Sequence, residues 1–499
     1  MELNAIANSL SKEEQLRFLA VLREKNKIKD AKNSTLFKLL IKGEPTHKLD
    51  TLIYGKPSRN AFHGLSKRLQ DSLIDFIASH NFETETSEEF DTLKLLLTAR
   101  VLYERSQPKI AHKILKKAMS KAKEHDLFSI LGEILHTQIQ YAHLHPEVNL
   151  DALFDAFNDN QEQHKQQENL NLASAYLKQQ LQQSSVIHHK KSLDILQSTF
   201  KKFNISINPS LTIKSFYQIL DLVNATAHLE HNFMDALPFI EDVYHQLQPK
   251  QNLDKHRFYH IQILYFLANA YFRNKQFDRS QEFLTLMFQE MQEEQGKYAS
   301  RFRESYLLIK TLNLNYSGKA NEAIKELEDY FATITAKKIE NPDLILSLVT
   351  YYAQQEQYKQ ALRTLHKLRH TDGWYRKRMG ADWVTKKELI TLIIYLELGH
   401  INLLESAIKR FKRTYKHILK GDAQINYFFA MIQKIYFKPE QVRTTAFREL
   451  LKTHFTTTSG RSSDVFMISF FAWLKAKNEQ KSLYAITLDL INKSEITSP

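Results

Sequence analysis

The chain has 499 residues, long for one core of ordinary size, so it must divide into domains or add core by stacking. Only 11 Gly and 10 Pro punctuate it, which excludes a hairpin-rich β fold, and the absence of Cys removes disulfides, thiolate zinc sites and cysteine nucleophiles together. The formal net charge of +13, from 69 Lys and Arg against 56 Asp and Glu, reads as a diffuse surplus that favours solubility and acidic partners.

The first 15 residues, MELNAIANSLSKEEQ, lack a basic region followed by an apolar core, so they do not read as a secretory signal. With no Cys, the expected location is the cytoplasm. The first predicted helix is capped by Ser11 with Glu14 as its capping-box partner, and Leu16, Leu19 and Leu22 mark its apolar face. Two short helices follow in STLFKLLIKG and KLDTLIYGKPS, then a long one with Ala61, Leu65, Leu69, Leu73 and Phe76 on one side. Residues 1–80 therefore form a small helical module. Its short-helix, turn, long-helix order, with Lys56, Arg59, Lys67 and Arg68 near the start of the last helix, is similar to a helix-turn-helix DNA reader. Asp71 and Asp75 follow at once and favour a solvated face. Residues 81–91, NFETETSEEFD, are expected to be an acidic linker or loop.

From 92 to 212 the pattern is that of degenerate helical repeats, clearest where Ala99, Leu102, Ala111, Leu115 and Ala118 share one template. Between 213 and 430 it becomes regular. An apolar helix, a short polar turn and a second helix with a small residue near its start recur around Ala236, Ser280, Ala323, Ala361 and Ala407. Successive anchors lie 38 to 46 residues apart, the period of stacked helix hairpins. One hairpin cannot bury both of its apolar faces, whereas stacked neighbours share a continuous core and leave a groove.

The residues at fixed offsets resemble the tetratricopeptide-repeat (TPR) family. One copy places Ile345, Leu348, Tyr352, Tyr358, Ala361, Leu365 and Leu368 in the motif's roles, and another Leu264, Leu267, Ala268, Tyr271, Phe277, Ser280 and Leu284. The period exceeds the 34 residues of the family, and Lys310 stands where an apolar residue belongs. The resemblance implies an all-α, TPR-like superhelical stack with longer helices, in which Tyr271, Tyr352, Phe277 and Tyr358 pack the core. Two strongly apolar helices in 431–499 are expected to cap its open end. Apolar runs such as 389–399 and 465–474 fall short of the ~20 residues of a membrane span.

No phosphate-binding glycine loop, GxSxG elbow or HExxH pattern occurs. Among the 21 histidines, the pairs His228/His231, His143/His145 and His188/His189 have no accompanying metal-ligand pattern, so neither a metal nor another cofactor is expected. The chain is read as a non-enzymatic scaffold that binds a segment of a protein partner with acidic character in the groove of the stack. Its candidate surface is Lys367, Arg369, Arg376, Lys377, Arg378, Lys386, Lys387, Lys409, Arg410, Lys412 and Arg413, interleaved with Trp374, Tyr375 and Trp383. The alternative is a nucleic-acid-associated regulator using this surface or the N-terminal module.

Overall fold

The computed structural model describes residues 2–10, 12–25, 32–80, 87–183, 192–207, 211–230, 236–247, 253–333, 341–421, 423–458 and 465–493. The described residues are overwhelmingly helical and contain no strand, and the chain divides into two compact units, 1–162 and 163–499.

The first unit holds two separate cores. Helices α1 (Glu2–Ser9), α2 (Lys12–Lys25), α3 (Lys32–Lys42), α4 (Leu49–Tyr54) and α5 (Arg59–His80) enclose one, in which Phe18 meets Phe37 edge-on at 4.8 Å and Phe76 at 5.1 Å. These rings bury more area than a leucine, so Phe18, Leu19 and Leu22 form the inner face of α2 and Leu16 is 69% exposed. Ala61 is also exposed, and the inner face of α5 begins at Leu65. Ser11 lies outside the described residues. The second core is built by α6 (Ser87–Glu104), α7 (Pro108–Glu124) and α8 (Phe128–Gln140). The last five residues of the expected acidic loop, 87–91, are thus the first turn of α6, where Glu88 and Glu89 favour the helix macrodipole. Helix α9 (Leu150–Gln183) carries the chain into the second unit.

There α10 (Ser192–Lys202) precedes the helix pairs α11 (Ile213–Glu230) and α12 (Leu237–Leu247), α13 (Arg257–Arg273) and α14 (Phe277–Gly296), α15 (Ala299–Tyr316) and α16 (Ala320–Thr333), and α17 (Pro342–Gln354) and α18 (Tyr358–Leu365). After α19 (Asp372–Met379) comes the pair α20 (Ala381–Glu397) and α21 (Ile401–Thr414). The members of each pair touch, and the first helices touch in series: α11 with α13, α13 with α15, α15 with α17, α17 with α20.

One turn recurs throughout. Three residues separate α6 from α7, α7 from α8, α13 from α14, α15 from α16, α17 from α18 and α20 from α21. The middle residue of each, Ser106, Asp126, Lys275, Gly318, Glu356 and Gly399, has φ between 51° and 89°. The next N–H closes back on a carbonyl five residues earlier, as Gln276 does to Tyr271 at 3.0 Å and His400 to Tyr395 at 2.9 Å. This is a Schellman closure, which satisfies carbonyls that the ending helix leaves open. Ser280, Ala323 and Ala361 are each the fourth residue of the helix after such a turn and are fully buried. In α21 that place belongs to Leu404, with Ala407 one turn further, and Ala236 lies one residue before α12.

Tyr271 and Tyr352 are buried at the ends of α13 and α17, and each donates its hydroxyl to a carboxylate on the preceding second helix, Glu241 and Glu328. Lys310 is accommodated by an ion pair to Glu326 across α15 and α16 at 2.7 Å.

The chain ends with α22 (Lys416–Gly421), α23 (Ala423–Phe437), α24 (Thr445–Thr458), α25 (Val465–Glu479) and α26 (Leu483–Lys493). Of the polar stretch 453–464, residues 453–458 belong to α24, and 459–464 lie outside the described residues. Phe428 of α23 stacks on Phe470 of α25 at 4.7 Å. The last two helices also reach back over three earlier pairs. Gln354 donates to Ser469 at 2.9 Å, Trp473 to Glu397 at 2.7 Å, and Tyr484 to the carbonyl of Asn315 at 2.5 Å.

Candidate partner-binding surface

Helix α19 owes its position to two local devices. Thr371 accepts the Trp374 N–H at its start, and Gly380 ends it with φ 91° and ψ 168°, a conformation open essentially to glycine alone. The sharp corner brings α19 onto α20 and builds an aromatic ladder: His370 stacks on Trp374 at 4.0 Å, Trp374 meets Tyr375 edge-on at 5.1 Å, and Tyr375 stacks on Trp383 at 5.0 Å. The ladder is anchored by the Trp383 indole N–H, which donates to Asp343 at 2.7 Å. Burial holds the Asp343 carboxyl above the usual carboxylate range, against the opposing effects of that hydrogen bond and of Arg273 and Lys386.

Beside the ladder is an ionic cluster centred on one buried carboxylate. Glu388 lies inside α20 yet meets Lys387 at 2.9 Å and Arg410 of α21 at 2.6 Å, and Lys387 also meets Asp372 at 2.5 Å. Burial alone would lower the Lys387 pKa, but Glu388 and Asp372 hold it above the usual lysine value. Lys387 and Arg410, both expected on the partner-binding surface, therefore hold helices together.

The remaining candidates separate by exposure. Arg369, Arg376, Lys377, Arg378, Lys409, Lys412 and Arg413 are exposed, while Lys367, Lys386 and Trp374 are half-buried. Three cations lie over rings: Arg376 over Tyr415 at 5.5 Å, Arg378 over Trp374 at 5.3 Å and Lys367 over Phe331 at 5.0 Å. The Tyr415 contact places the end of α19 beside the end of α21. Arg376, Lys377 and Arg378 occupy the last turn of α19, and Lys412 and Arg413 that of α21, where the macrodipole favours positive charge. Residues 366–421 contain thirteen Lys and Arg but five Asp and Glu, so the formal excess, read above as diffuse, falls in large part here.

In the first unit Lys56, Arg59, Lys67 and Arg68 are all exposed, as is Asp71. Of the histidines, His143 is exposed and His145 is buried, while the side chains of His188, His189, His228 and His231 lie outside the described residues.

Comparison with protein-family models, with curated proteins and with solved structures finds no match. No described helix is long and apolar enough to cross a membrane. The residues that sequence reasoning missed are the acidic ones, Asp343, Asp372 and Glu388. A trace was present in Lys386, Lys387 and Glu388, a charged trio interrupting the apolar stretch from Trp383 to Leu396.

Proposed function

We propose that the protein is a non-enzymatic scaffold, built as a TPR-like superhelical stack with long helices, that binds an acidic segment of a partner protein on the surface of α19 and α21. The stack reading is supported by the recurring three-residue turns and by the serial contacts among first helices. The binding reading rests on one observation: of seven exposed cations, five ride on the last turns of α19 and α21, whose backbone is fixed by the aromatic ladder and the Glu388 cluster.

A rigid mount matters because exposed ion pairs are individually worth about 0–1 kcal/mol. Holding several guanidinium and ammonium groups in register lowers the entropy lost when they grip a row of carboxylates, and the half-buried Trp374 supplies an apolar neighbour for an interleaved side chain. Lys387 and Arg410 already have carboxylate partners and contribute only by positioning.

The test is fluorescence anisotropy with a labelled peptide of alternating Glu and Leu, comparing the wild type with the triple substitution R376E/K377E/R378E. The triple variant binds at least tenfold more weakly while keeping its helical circular dichroism. Unchanged affinity removes the surface from the function. A labelled oligonucleotide in the same assay addresses the nucleic-acid reading, which requires tight binding and a steep linear fall of log affinity with log salt.

A further inference from the structure

Two buried imidazoles and a carboxylate converge in the first unit. His112 is the fifth residue of α7, and its Nε2 is buried without a hydrogen-bond partner. His145 follows the short turn after α8, is 5% exposed, and stacks on His112 with ring centroids 4.2 Å apart. Its Nδ1 lies 3.6 Å from Glu147 Oε1, and its Nε2 lies 3.2 Å from the Tyr103 hydroxyl. One ligand atom from each of His112, His145 and Glu147 falls within 4.8 Å of the others.

A pair of stacked imidazoles is a poor core. Leaving a buried ring nitrogen unpaired costs about 1–3 kcal/mol, more than an apolar side chain of similar size would. The cluster also has the layout of a ligand set. The two nitrogens come from separate elements, the carboxylate sits on the solvent side, and the second nitrogen of His145 is engaged by Tyr103, as the outer partner of a metal-bound histidine is. Pro146, between His145 and Glu147, restricts the backbone that carries both.

We propose that His112, His145 and Glu147 bind a divalent transition-metal ion of the zinc class. Two imidazoles and one carboxylate suit a borderline cation and leave a fourth, solvent-facing position for water. Ligand bonds of about 2.0–2.2 Å require the donor atoms to close from their present separations. Rotation of the exposed Glu147 side chain and a turn of the His112 ring out of the stack supply that movement. Lys116, one turn along α7 from His112, adds positive charge nearby, so affinity is lower than at a thiolate site. Spacing along the chain gives no hint of the cluster, because His112 and His145 lie on different elements and meet only after folding.

The experiment titrates the chelator-treated full chain with Co²⁺, read by visible d–d absorption, and then displaces it with Zn²⁺. One equivalent of Co²⁺ develops intense bands that Zn²⁺ abolishes. H112Q and E147Q each lose the bands, and E147Q keeps the wild-type melting temperature without metal because Glu147 is exposed. H143A, which alters the exposed neighbouring histidine, retains them. Absence of bands in the wild type up to millimolar Co²⁺, retention of them in E147Q, or an equal loss in H143A overturns the proposal.

Discussion

Asn313 of α15 donates its side-chain N–H to the Ser280 hydroxyl of α14 at 2.8 Å, and Ser280 in turn donates to the Ala268 carbonyl of α13 at 2.7 Å. One hydroxyl thus joins three helices. Ser280→Ala leaves the buried Asn313 amide without its acceptor and costs about 1–3 kcal/mol. The double variant S280A/N313L recovers most of that loss, since removing both polar groups removes the orphan. Urea unfolding of the single and double variants measures both, and a double variant less stable than S280A contradicts the account.

Gly380 has open space around an added Cβ, so any effect of Gly380→Ala comes from backbone conformation alone. The substitution costs about 1–3 kcal/mol and loosens the stacking of Tyr375 on Trp383. A change in melting temperature accompanied by altered Trp fluorescence is the expected result. A variant with the wild-type melting temperature refutes it.

Lys387→Met leaves Glu388 buried with Arg410 as its remaining cation. Because Arg410 still compensates Glu388, the loss is that of a charge-assisted contact, about 1.5–3 kcal/mol, still more than at an exposed lysine. Lys377→Met is the exposed control and changes stability by less than about 0.5 kcal/mol. Equal effects at the two positions argue against an ionic cluster centred on a buried carboxylate.

His260 is buried on α13, and its pKa is lowered by that burial, with Glu290 opposing the shift and Arg257 reinforcing it. The unfolded state therefore takes up a proton first as pH falls. The stability associated with neutral His260 is fully present above about pH 6.5 and declines as pH drops toward the lower folded-state value. Melting temperatures between pH 5 and pH 8 show this slope, and His260→Gln flattens it relative to the wild type.

Much of the candidate surface was legible in the chain. The run of Lys and Arg between 367 and 413, with Trp374 and Trp383 among it, is visible without coordinates, and most of its members are exposed. The division of labour inside it was not legible. Lys386 and Lys387 are neighbours of identical chemistry, yet Lys387 pairs with Asp372, fifteen residues back, and with Glu388, which also holds Arg410 from the next helix. Turn chemistry was hidden in a similar way. Two of the six recurring left-handed positions are glycine, and Ser106, Asp126, Lys275 and Glu356 fill the others.

The sequence by itself determined that the chain forms helices that pair with their neighbours, because the apolar period and the small residues at Ser280, Ala323 and Ala361 act within one or two helices. Tertiary structure alone decided that α25 and α26 return to Asn315, Gln354 and Glu397, that Glu388 is neutralised from two helices, and that His112 meets His145. Local pattern reports which face of a helix avoids water. Which charge, hydroxyl or imidazole ends up opposite that face depends on segments 15 to 169 residues away along the chain, and their cost or benefit is set by burial that only the folded molecule creates.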